Sequence, residues 1–101
     1  HVRENGELLR RRLAAVVEAH PTVFNEVRGV GMMLGLRCVD SVAAGDMVTA
    51  LRRQGLITVS ASENVIRLLP PLIIGKTEID EAITKIEAAA AELVATPAAW
   101  T

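Results

Sequence analysis

Apolar residues return at three- and four-residue steps near both ends of this chain, and over most of the sequence in between that spacing gives way to strand patterns. Leu9, Leu13, Val16 and Val17 mark an amphipathic helix between about Val2 and Ala19, and Ile79, Ile83, Ile86, Ala90 and Leu93 mark a second from about Thr77 to Val94. The run VFNEVRGVGMMLGLRCV from Val23 to Val39 is β-rich with glycines at 29, 31 and 35, and it reads as two strands or one bent strand. Asp40 to Gly45 is a loop, and Met47, Val48, Leu51 and a closing Gly55 describe a short helix. Leu56 to Ala61 alternates as a strand. The turn Ser62-Glu63-Asn64 leads into Val65 to Leu69, so these two strands are expected to form an antiparallel hairpin ended by Pro70 and Pro71, neither of which can donate to a ladder. The order helix, strands, helix, hairpin, helix is α+β: a small, mostly antiparallel sheet with helices packed mainly on one face.

A chain of 101 residues fits one domain, 1–101, with residues 96–101 expected as a frayed tail that Trp100 anchors against the body. Half the residues are hydrophobic and the formal net charge is −1, which argues against a nucleic-acid or membrane-surface binder. The apolar stretches are interrupted well short of a membrane span, and the first residues do not resemble a secretory signal. Cys38 is the only cysteine, so no internal disulfide forms and a thiolate metal site lacks its second ligand; the expected setting is reducing and cytoplasmic. The chain begins at His1 without methionine, directly in helical sequence, which suggests a piece of something longer.

The residues offer no self-contained catalytic group. His1 and His20 sit at the chain start and a helix end with no partner nearby in sequence, Cys38 reads as a small core residue, and Met32 and Met33 read as packing. Arg10, Arg11 and Arg12 fall mostly on the solvated side of the first helix, and Lys76 and Lys85 sit where exposed lysines are normal. Gly29 and Gly31 lack the third glycine and the following helix that a nucleotide fingerprint needs.

Arg67 stands out in VIRLLPPLII because a guanidinium inside an apolar run keeps its charge and needs an anion. The bland reading is a solvent-facing strand arginine, or one paired with an acidic neighbour such as Glu63. The functional reading is a carboxylate clamp, since the planar guanidinium offers two parallel N–H donors to an amino acid or a dicarboxylate.

VRGVGMMLGL at 27–36, QGLI at 54–57 and VIRLLPPLII at 65–74 together resemble the C-terminal small domain of class III pyridoxal-phosphate aminotransferases, which are of fold type I, and within that class the acetylornithine branch of bacterial arginine synthesis. The resemblance runs from the first helix to the last. It implies a cytoplasmic, homodimeric transaminase working on amino-acid and 2-oxoacid substrates, with pyridoxal 5'-phosphate held by a large domain absent from this chain. Neither Lys76 nor Lys85 matches the family's cofactor lysine, so no catalytic, cofactor-binding or metal-binding residue is carried over, and the segment alone is expected to be inactive. Arg67 matches the arginine that, in the ornithine and 4-aminobutyrate branch of this class, pairs with a large-domain glutamate when idle and takes the α-carboxylate of substrate glutamate. Gly75 stands where the family commonly has threonine, and glycine remains an acceptable helix N-cap. From the residues alone, a stand-alone amino-acid-binding or structural module stays open as the alternative.

Overall fold

The computed structural model describes residues 2–30, 33–69 and 75–95. Helix α1 spans Val2–Ala19 and buries Leu9, Leu13 and Val16 on one stripe, as their spacing requires. Strands β1 (Phe24–Val30) and β2 (Met33–Cys38) follow, then α2 (Ala44–Arg53), β3 (Thr58–Ala61), β4 (Val65–Leu68) and α3 (Lys76–Ala95). The order β1-β2-β4-β3, with every neighbouring pair antiparallel, makes one four-stranded sheet. This is the α+β architecture expected from the sequence. Pro70, Pro71, Met32, Trp100 and the 96–101 tail lie outside the described residues.

One side of the sheet carries Leu34, Leu36, Cys38, Ile66 and Leu68, all buried. Helix α1 packs on β1, α2 packs on β3 and β4, and α3 packs against both helices, so the three close a single core over that side. A bulge sets up this division in β1. Phe24 pairs with Cys38 but Glu26 pairs with Arg37, so two residues of β1 advance against one of β2. In a regular strand residues 24 and 26 would share a face. The extra residue, Asn25, lets Phe24 enter the core while Glu26 turns to the other side.

The helix ends show what stops and starts each element. Beyond α2, Gly55 takes φ +91, its N–H bonds the Arg52 carbonyl, and the Leu56 N–H bonds the Leu51 carbonyl at 2.9 Å. These paired bonds around a left-handed glycine close the helix. They also occupy Leu56, so β3 begins at Thr58, two residues later than the alternation suggests. At the start of α3 the Glu78 carboxylate reaches back to accept the Gly75 N–H at 2.9 Å, one half of a capping box; the other half, a side-chain acceptor for a first-turn N–H, is what glycine at 75 does not supply.

Helix α2 has no local cap, because Ala43 offers no side-chain acceptor. The acceptor comes from the β3–β4 turn: Asn64 Oδ1 accepts the Ala44 N–H at 2.8 Å, while its Nδ2 donates to the carbonyls of Cys38, Val39 and Val42 at 3.1, 3.0 and 2.8 Å. One side chain therefore ties the hairpin turn to the end of β2, to the loop after it and to the first turn of α2.

Candidate functional site

No helix packs over the second side of the sheet among the described residues, and register decides what stands there. Glu26, Arg28, Met33, Gly35, Arg37, Val59, Ala61, Val65 and Arg67 alternate with the core residues and share this open side. One cross-strand row runs Arg28, Gly35, Arg67, Val59 and the next runs Glu26, Arg37, Val65, Ala61. Two arginines thus flank a glycine, with their Cα atoms about 10 Å apart across two strand spacings. Met33 is 66% exposed here, so the packing role expected for it is wrong. It belongs to the face of Gly35 and Arg37, and side-chain chemistry alone did not reveal that.

Gly35 is required at this position. A Cβ there would lie 2.6 Å from the Ile66 carbonyl oxygen and 3.0 Å from Val65 Cγ1, so β2 and β4 approach too closely for any side chain. Its bare backbone floors a shallow cleft of about 170 Å³, rimmed by Arg28, Met33, Glu63 and Arg67.

The charges in this cleft are unequally engaged. Arg28 donates through Nε to Glu26 Oε2 at 2.5 Å and through Nη1 to Glu63 Oε1 at 2.7 Å. Both carboxyls are held below the ordinary value, chiefly by the bond from Arg28, and Arg28 is raised in turn, first by Glu26 and then by Glu63. Arg37 Nη1 lies 3.7 Å from Glu26 Oε2, while its buried Nε has no partner among the described residues. Glu63 reaches Arg28 because it and Asn64 take left-handed backbone angles, φ 64 and 62, which turn the two side chains away from a regular hairpin path.

Arg67 is exposed on β4, and no hydrogen bond or ion pair engages it among the described residues. Pairing with Glu63, one of the bland readings from the sequence, does not occur, because Arg28 takes that carboxylate. What remains at Arg67 is a forked donor over a bare glycine, with the geometry to take a carboxylate in two parallel bonds.

The other sequence candidates lie elsewhere. Cys38 is fully buried and desolvation pushes its thiol up to about 11, so it is an inert core residue. His20 Nε2 lies 3.5 Å from Glu87 Oε2, a partner too distant in sequence to foresee. Arg10 donates to the Gly29 carbonyl and Arg12 to Asp80 Oδ1 at 2.6 Å, so only Arg11 of that run fits a simply solvated face. Lys76 Nζ bonds Asp80 at 3.0 Å, and Lys85 lies beside Gly55; both belong to α3, on the helical side of the sheet. Neither lysine meets the cleft, and the described residues therefore do not fit a cofactor that must bond a lysine. Among the described residues there is also no group of three or more potential metal ligands and no helix long and apolar enough to cross a membrane.

Residues 1–90 match the model of the aminotransferase class-III family. Acetylornithine aminotransferase of Rhodobacter capsulatus is 46% identical over 97 residues, which cover 96% of this chain and 24% of that protein. Acetylornithine aminotransferase 1 of Bradyrhizobium diazoefficiens is 43% identical over 93 residues, or 92% of this chain and 22% of the relative. The crystal structure of N-acetylornithine aminotransferase from Stenotrophomonas maltophilia superposes with a TM-score of 0.82 at 35% identity, covering 93% of this chain and 26% of that one. The chain thus spans about a quarter of the length of these relatives.

Proposed function

Since the chain belongs to the class III aminotransferases, we propose that it forms the small domain of an acetylornithine-type enzyme, which moves an amino group between N-acetylornithine and 2-oxoglutarate in arginine synthesis. In this reading pyridoxal 5'-phosphate is held by the remainder of the full-length protein, a cytoplasmic homodimer. The cofactor supplies the carbanion chemistry, and this segment supplies one wall of the substrate site. The wall's working group is Arg67, which receives the α-carboxylate of glutamate.

The observation that supports this most is the contrast between two arginines in one row. Arg28 is bound by two carboxylates, whereas Arg67, across Gly35, has no partner among the described residues. A desolvated strand arginine would cost stability for no return, but an exposed one over a side-chainless floor is available to a ligand.

The test is Arg67→Ala in the native polypeptide, with the two half-reactions followed separately by cofactor absorbance. The glutamate half-reaction should lose about ten- to a hundredfold in kcat/KM, the effect of removing a charge-assisted two-point contact, and the acetylornithine half-reaction distinctly less. Equal losses in both would remove the selective role. The intact mass of the native polypeptide tests the domain assignment: a chain several times longer than 101 residues is expected, and one of this length would leave an amino-acid-binding module instead.

A further inference from the structure

Three guanidiniums, Arg28, Arg37 and Arg67, stand on the open side of the sheet with two carboxylates, Glu26 and Glu63. That side therefore carries one excess positive charge, as does the cleft itself with Arg28, Arg67 and Glu63, and the two carboxylates are concentrated on Arg28 and Arg37. Arg67 is left to receive one anionic group. From this arrangement we propose that Glu63 is a specificity-determining residue: by occupying Arg28 it keeps the cleft a receptor for a single carboxylate and prevents a second anionic group of the ligand from docking at Arg28.

The geometry supports this in three ways. Arg28 and Arg67 lie in the same cross-strand row on either side of Gly35, so one small ligand above the glycine can reach both. Glu63 and Arg67 both line the cleft, so Glu63 meets a ligand held by Arg67. Glu26 alone does not neutralise Arg28, because it also lies 3.7 Å from Arg37 Nη1. Removing the charge at residue 63 frees an Nη1 N–H of Arg28, raises the excess charge of the cleft to two, and turns a one-carboxylate receptor into a dicarboxylate clamp.

The proposal rests on the reading of Arg67 as a carboxylate receptor, and the experiment separates the two. Glutarate and butyrate, a dicarboxylate and a monocarboxylate of similar reach, are titrated calorimetrically into the native polypeptide and its variants at low ionic strength, where exposed charges are least screened. Glu63→Gln should tighten glutarate about fivefold, the upper range for an exposed ion pair, and butyrate distinctly less. Glu63→Asn is the second variant: asparagine favours the left-handed backbone that residue 63 adopts, so it removes the charge without straining the turn, and it should reproduce the shift. An unchanged glutarate affinity in both variants, or an equal shift for both ligands, overturns the role of Glu63. Arg67→Ala should weaken both ligands; if it weakens neither, the reading of Arg67 fails, whatever residue 63 does.

Discussion

Ile66 and Arg67 are consecutive on β4 and live under different rules. Ile66 is fully buried beneath the helices, paired across the sheet with Leu36; Arg67 is exposed, paired with a glycine and with Val59. On the core side, neighbours are chosen by shape and burial, and almost any well-fitting apolar residue serves. On the open side, they are chosen by charge, reach and backbone angle, so each position has few alternatives. The same two-residue alternation creates both, and the difference lies in what each side must meet.

The contrast makes graded predictions for the 101-residue chain, read by urea unfolding. Ile66→Ala should show the largest effect, a loss of about 2–5 kcal/mol, because it removes buried methyl groups and leaves a cavity. Asn64→Ala should cost about 1–3 kcal/mol, since the Ala44 N–H and three carbonyls each lose a hydrogen bond at once, although the Val39 carbonyl keeps the Val42 N–H. Asn64→Gly keeps the left-handed backbone but not the bonds, and a similar loss there would assign the effect to the side chain. Arg67→Ala should change stability by less than about 0.5 kcal/mol while impairing ligand recognition; a loss comparable to that of Ile66→Ala would dissolve the distinction between the two sides.

The smallest effect is electrostatic. Glu26, Glu63 and Asp80 hold their protons less tightly in the folded chain than at their ordinary values of 4.5, 4.5 and 3.8, the first two through Arg28 and the third through Arg12 and then Lys76. Groups lowered on folding contribute stability that is complete above those ordinary values and fades as pH falls through the lowered folded ones. Stability should therefore decline gently below about pH 4.5, and Glu26→Gln with Glu63→Gln should flatten that decline. Thiol labelling offers an independent check of the core side: Cys38, with its thiol pushed up to about 11, should resist alkylation at pH 8 until the chain unfolds.

Much of the core side was legible in the sequence. The apolar steps of α1 and α3, the glycine closing α2 and the β3–β4 hairpin all follow from local patterns, because each is settled within about ten residues. The bulge at Asn25 was not, since nothing near it marks an extra residue until Cys38 and Arg37 fix the register from the facing strand. The cap of α2 comes from twenty residues downstream, and the partner of Glu63 from thirty-five upstream. Arg67 stood out in its apolar run and the family resemblance gave it an expected role, but the residues alone allowed it to pair with Glu63; a left-handed turn decided otherwise. The exposed alternation of Glu26 and Arg28 around Val27 was the one available hint that a charged face lay on β1.

Asn64 has a mechanical consequence. Its single amide holds the start of α2, the end of β2 and the turn from which β4 departs, and Arg67 follows only three residues later. Helix and strand are thereby coupled like parts of one lever, so a displacement of α2 carries the Arg67 backbone with it instead of being absorbed in a slack joint. The guanidinium keeps only its own side-chain rotations as free travel, and in the proposed role its aim at an anion is set by the orientation of the whole sheet.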